Sequence, residues 1–235
     1  MAPTRSRTTV LGLLATALAL LLFAWIAIEV VRGEGAEFDA AVRNAVHAWA
    51  FPRLTWVMRG FSQLGEAPFL IGAGLLVFWR LAASGRKRAA VLLVGTVLGS
   101  EALTQILKLV FHRPRPEAFF GLPNPEMYSF PSGHAITSCC FWGVLAAILA
   151  ARSHSLPVKA AIWTMASVLA AMVGFSRVYL GVHYPTDVLA GYALAVVWVA
   201  VVRARYAVWL RRRANQTGPQ RPNGKIGVYG SQTPS

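Results

Sequence analysis

The stretch 10–28, "VLGLLATALALLLFAWIAI", runs from Val10 to Ile28 without a single charged residue. As a helix it is long enough to cross about 30 Å of bilayer hydrocarbon. It exceeds the apolar core of a signal peptide, so it reads as an uncleaved membrane anchor. The whole chain agrees: its 235 residues are 56% hydrophobic and only 14% charged, with a mean hydropathy of +0.51. An ordinary soluble domain carries about a quarter charged residues. The net charge of +14 would suit a nucleic-acid binder, but such proteins lack several uncharged spans of membrane length. The basic excess instead suits loops beside anionic headgroups, together with a site for an anionic substrate and no nucleic-acid partner.

Further along, five more apolar stretches read as helices: 67–79, 89–108, 135–151, 160–175 and 184–202. The expected fold class is therefore all-α, an integral bundle of six transmembrane helices over residues 10–210. Residues 1–9 form a short N-terminus, and 211–235, rich in Gly, Pro, Ser, Gln and Asn towards its end, reads as a disordered tail. Arg5, Arg7, the "SGRKR" loop at 84–88, Arg152, Lys159 and the Arg-rich end of the last helix fall on one side of the membrane. The positive-inside rule makes that side, and both termini, cytoplasmic. Between the first two spans, Phe38, Val42, Ala45, Val46 and Trp49 share one helical face. That helix either lies in the membrane interface or caps the bundle. Trp25, Trp49, Trp56, Trp79, Trp198 and Trp209 suit interface belts and lipid contact. Cys139 and Cys140 are adjacent in an apolar run and read as small apolar residues.

Three short stretches hold most of the remaining polarity. They are "KLVFHRPRP" (108–116), "PSGH" (131–134) and "SRVYLGVHYPTD" (176–187). Two crossings separate the second from the third, which places both on one membrane face, where Lys108 also ends its helix. Lys108, Arg115 and Arg177 supply fixed positive charge, and a guanidinium fork matches phosphate oxygens. Ser132 and Gly133 open a helix, whose free N–H groups and dipole favour an anion. The set describes a cradle for a phosphoryl group. His183 has Asp187 four residues on, across a proline tolerated in a first helical turn. A carboxylate there can hold one ring nitrogen and leave the other to attack phosphorus. His183 is then the nucleophile and His134 the acid that protonates the leaving oxygen. No cofactor is required, and three surrounding cations oppose a metal held by two histidines and an Asp.

Lys-x6-Arg-Pro, Pro-Ser-Gly-His and Ser-Arg-x5-His-x3-Asp, in this order, resemble the three signatures of the type-two phosphatidic-acid phosphatase superfamily. Lys108, Arg115, Pro116, Pro131, Ser132, Gly133, His134, Ser176, Arg177, His183 and Asp187 fill the fixed positions. The resemblance implies a six-helix phosphatase that releases phosphate from lipid phosphates or diphosphates at the extracytoplasmic face. It leaves the lipid unnamed, with an isoprenoid diphosphate and a glycerolipid phosphate both open, and so too the oligomeric state. Lipid phosphotransfer and non-catalytic lipid-phosphate binding or transport remain alternatives. Arg113 and His112 lie between fixed positions and invite a headgroup contact. Glu101, expected inside the third span, calls for a partner such as an interhelical hydrogen bond. Gly174, Gly181 and Gly191 read as loop or close-packing glycines.

Overall fold

A computed structural model describes residues 4–122 and 127–216. All regular structure among them is helical: α1 (Thr4–Arg32), α2 (Ala36–His47), α3 (Pro52–Gln63), α4 (Ala67–Ala83), α5 (Lys87–Phe111), α6 (Gly133–Ala150), α7 (Leu156–Tyr179) and α8 (Pro185–Gln216). Five of these are long and apolar enough to cross a membrane, and the α3–α4 pair, bent by 51°, is a further candidate. Proline sits near the start of α3, α4 and α7, where its missing N–H costs nothing. Pro185 opens α8 in the same way.

Residues up to Val202 and those from Arg203 form two units. In the first, α6 is central and packs chiefly on α7 and α5, while α3 lies along α7 and α4 along α5. Ile136 and Cys140 of α6 share an apolar cluster with Leu194 and Ala195 of α8, the role expected of a small apolar cysteine. Most of α1 is exposed, and its Leu and Val side chains would face lipid. In the second unit, Tyr206 stacks on Trp209 with ring centroids 5.7 Å apart.

Several boundaries differ from expectation. Between α1 and α4 lie two helices, α2 and α3, where one was anticipated. Polar Arg53, Arg59 and Gln63 interrupt the apolar pattern of α3 and hide it from a hydropathy reading. The last helix continues to Gln216, so 211–216 are not tail; the tail from 217 lies outside the described residues. Trp198 is no lipid anchor: its indole N–H donates to the Thr96 carbonyl at 2.9 Å and its ring lies against Gly99. Nor is Glu101 buried. It projects from the outer face of α5, where Gln105 donates to it at 2.6 Å and Thr137 of α6 at 3.3 Å. That second bond is the interhelical partner the sequence called for.

The α7–α8 contact depends on a glycine. A Cβ at Gly174 would overlap the Tyr192 hydroxyl and stand 2.7 Å from Val188 Cγ1, and that hydroxyl donates to the Ala170 carbonyl at 2.8 Å. Gly174→Ala is expected to destabilise the protein by about 1–3 kcal/mol through overpacking, read as a lower midpoint of thermal unfolding in detergent.

Candidate active site

The three polar stretches meet where α5, α6 and α8 present their ends. The backbone joins them directly. The Ser132 N–H donates to the Asp187 carbonyl at 3.0 Å, fastening the start of α6 to the first turn of α8. The Arg177 carbonyl accepts from the N–H groups of Val182 and His183 at 3.1 and 3.3 Å, closing a tight turn at the end of α7. Gly181 takes φ +77° within it, and a Cβ there would lie 2.6 Å from the Phe119 nitrogen. So the loop expectation for Gly181 and the close-packing expectation for Gly174 both hold. Gly191 also holds, since its Cβ would meet Ala135 Cβ at 2.9 Å and the Ser132 carbonyl at 3.0 Å.

Within this frame His183 is 1% exposed and Asp187 fully buried. His183 Nδ1 lies 3.2 Å from Asp187 Oδ2, and Nε2 lies 3.1 Å from Arg115 Nη1. An ionised carboxylate only accepts and a guanidinium only donates, so the partners fix the tautomer. Nδ1 carries the hydrogen and Nε2 presents its lone pair. Asp187 Oδ2 also accepts the Tyr184 N–H at 3.0 Å. Burial, and then the charges of Arg115, Arg177 and Lys108, push the His183 imidazole well below its ordinary pKa. Arg115 is tied on its other side to the carbonyls of Met127 at 2.6 Å and Val182 at 3.0 Å. Burial also lowers the pKa of this guanidinium.

Lys108 and Arg177 are buried, at 6% and 8% exposure. With Arg115, both act electrostatically on His134 as well as His183. Three cations thus converge on one pair of histidines. Ser132 is the N-cap of α6 yet makes no side-chain capping bond, unlike most serines at that position. Its Oγ, His134 Nε2 and Arg177 Nε are buried polar atoms without a hydrogen-bond partner. Each unmade bond of this kind costs about 1–3 kcal/mol. A tetrahedral anion carries acceptors that suit such groups and a counter-charge for the cations. Among the described residues no group of three or more His, Cys, Asp and Glu side chains is arranged to hold a metal ion.

Arg113, read from the sequence as a headgroup contact, and three residues that sequence reasoning passed over surround this set. Arg113 donates from Nη1 to Asp187 Oδ1 at 2.6 Å and to Thr186 Oγ1 at 2.8 Å. Its Nη2 donates to Asp39 Oδ2 at 2.7 Å, and its guanidinium lies over the Tyr184 ring. No lipid headgroup contact is needed to explain it. Asp39, on α2, is fully buried. Ser62, on α3, accepts from Arg177 Nη1. Gly65, in the α3–α4 turn, lies against His134, so that a Cβ would stand 3.1 Å from the His134 Cδ2 and overlap Val173. The signal for Asp39 was available: Asp39, Arg43 and His47 recur every four residues and form one polar stripe on α2. That stripe faces the protein, since Arg43 donates to the carbonyls of Glu117 at 2.7 Å and Gly181 at 3.3 Å. His47 stacks on Phe119, while Phe38 and Trp49 point outward.

Comparison with known proteins places this geometry. The chain is 36% identical to phosphatidylglycerophosphatase B of Bacillus subtilis over 173 residues, covering 70% of this chain and 81% of the relative. It is 30% identical to lipid A 1-phosphatase of Rhizobium etli over 190 residues, covering 71% and 76%. The crystal structure of the transmembrane PAP2-type phosphatidylglycerolphosphate phosphatase from Bacillus subtilis superposes with a TM-score of 0.74 at 29% identity, covering 82% of this chain and 96% of that one. The PAP2 superfamily profile matches residues 89–211, which include every fixed position of the three signatures, and the protein is an integral membrane member of the PAP2 superfamily.

Proposed function

We propose that the protein is a membrane phosphatase that releases phosphate from a lipid phosphate or diphosphate through a phosphohistidine. The observation that carries the reading is the line Asp187–His183–Arg115 beside the unpaired Ser132 Oγ, His134 Nε2 and Arg177 Nε. Lys108, Arg115, Arg177, Ser132 and the N–H of Gly133 hold the equatorial phosphate oxygens, where transition-state charge accumulates. His183 Nε2 attacks phosphorus, the bond to the lipid oxygen breaks, and His134 gives that oxygen its proton. Water then attacks the phosphohistidine, His134 takes the water's proton, and His183 leaves with its lone pair restored. Asp187 keeps the Nδ1 hydrogen in place throughout. The chemistry needs no metal or cofactor.

In this reading the domain is residues 10–210 and crosses the membrane six times, with α3–α4 as one broken span. The α2 helix lies at the interface, Phe38 and Trp49 in the lipid and its polar stripe against the protein. The Lys/Arg bias places both termini in the cytoplasm and the active site on the extracytoplasmic face of a bacterial inner membrane. The lipid substrate enters from the bilayer.

The test is phosphate release by detergent-purified protein, with EDTA present, across phosphatidylglycerol phosphate, phosphatidate, undecaprenyl diphosphate and lipid A. Release from at least one of them, inhibited by vanadate, is expected. Transfer of the phosphoryl group to an added lipid alcohol, with no free phosphate, would replace hydrolysis by phosphotransfer. Binding without turnover on all four would overturn the enzymatic reading.

A further inference from the structure

The buried acid on α2 has no part in the reaction as derived, and its cost is large. Asp39 is fully buried in a chain of low charge content, and a buried carboxylate is retained only when fully paired. Its pairing is complete. Oδ1 accepts the Thr186 N–H at 3.0 Å, and Oδ2 accepts the Thr186 hydroxyl at 2.7 Å and Arg113 Nη2 at 2.7 Å. The Thr186 N–H belongs to the first turn of α8, where helical N–H groups have no partner of their own. Asp39 therefore caps α8 from a different helix, 147 residues away in sequence.

The Arg113 guanidinium spans two acids. One arm reaches Asp39, and the other reaches Asp187 Oδ1 at 2.6 Å. With Oδ1 so engaged, Asp187 turns Oδ2 to His183 Nδ1 and the Tyr184 N–H. A lone Arg113 could rotate about its stem and draw the Asp187 carboxylate with it. Clamped by Asp39 at one end, it cannot.

We propose that Asp39 is a positioning residue for the reaction: through Arg113 it fixes the Asp187 carboxylate, and so the tautomer and aim of the His183 ring. This makes α2 part of the catalytic apparatus. The inference rests on the assignment of His183 and Asp187 as the nucleophilic pair, and the experiment separates the two.

Five variants are measured on the best substrate of the lipid panel: Asp39→Asn, Asp187→Asn, the double variant, Arg113→Lys, and Glu37→Gln as an exposed control on the same helix. Asp39→Asn keeps the shape and one acceptor but removes the charge that holds Arg113 and turns an N–H on either Arg113 or the Thr186 N–H. It is expected to lower kcat about 10–100-fold with KM and the vanadate inhibition constant within about two-fold. Added to Asp187→Asn it is expected to cost less than about two-fold more, because both act through one carboxylate. Arg113→Lys, which keeps the charge but loses the fork, is expected to behave like Asp39→Asn. A purely structural Asp39 would multiply its loss onto that of Asp187→Asn and weaken vanadate binding, and that outcome overturns the proposal. So does wild-type kcat in Asp39→Asn while Asp187→Asn is impaired. Full activity in Asp187→Asn itself would instead overturn the assignment of the nucleophilic pair. Thermal unfolding of each variant in detergent identifies any that does not fold.

Discussion

His183→Ala is expected to abolish turnover, with kcat falling at least about 10³-fold, while the protein still binds vanadate. The argument is geometric. Nε2 is the one ring nitrogen that carries a lone pair in place of a hydrogen once Asp187 holds the Nδ1 hydrogen, and alanine leaves nothing at that point to bond phosphorus. Loss of a covalent nucleophile is not repaired by neighbours, since the residual rate comes only from binding and charge stabilisation. Rapid acid-stable chemistry is not needed to see it: a brief incubation with radiolabelled lipid phosphate should label the wild type at alkaline quench and leave His183→Ala unlabelled. Labelling of the variant would sink the assignment.

The same residue predicts a pH profile. Its pKa lies well below the ordinary 6.5, from burial first and from Arg115 next, so the neutral imidazole is favoured. The acid limb of kcat/KM that belongs to His183 therefore lies below pH 6.5, with activity rising as pH increases through it. Arg115→Gln removes one of the cations responsible and should move that limb upward. Stability carries the matching sign: below pH 6.5 the unfolded chain binds a proton that the folded state refuses, so this contribution is lost as pH falls below 6.5.

The second large effect is expected at a residue with no functional group. Gly65→Val should cost about 10²-fold in kcat by displacing His134. Even one added carbon would stand 3.1 Å from the His134 ring and overlap Val173, and both neighbours are set in packed helices that yield little. A misplaced general acid forfeits most of the roughly 10²–10⁴-fold that such catalysis supplies. The signature of that cause is selective. Substrates whose leaving group needs no proton, such as p-nitrophenyl phosphate, should lose far less in both Gly65→Val and His134→Ala. An equal loss on all substrates would show that Gly65 matters only for folding.

The sequence was most legible where one residue type has one physical use. Apolar runs of membrane length read directly as α1 and α5–α8, because the bilayer admits little else. The signature residues were legible because their order and spacing constrain one another. What stayed hidden depended on pairing across the chain. Ser62 and Gly65 look ordinary in their own segments, Asp39 shows only as part of a stripe, and contact with Arg177, His134 and Arg113 gives them meaning. The apolar residues of α2 drew the reading towards lipid, although its polar stripe is the side that meets the protein. The α3 helix failed for the same reason, its guanidinium groups breaking a pattern that hydropathy alone would follow.

Arg115 at rest donates to the nitrogen that is to attack. An arriving phosphate offers that guanidinium a charged acceptor in place of a neutral one. In the proposed mechanism, the exchange that seats the substrate is thus also the one that unmasks the nucleophile. In the proposed reaction the attacking nitrogen thereby stays occupied until the correct anion takes its partner away.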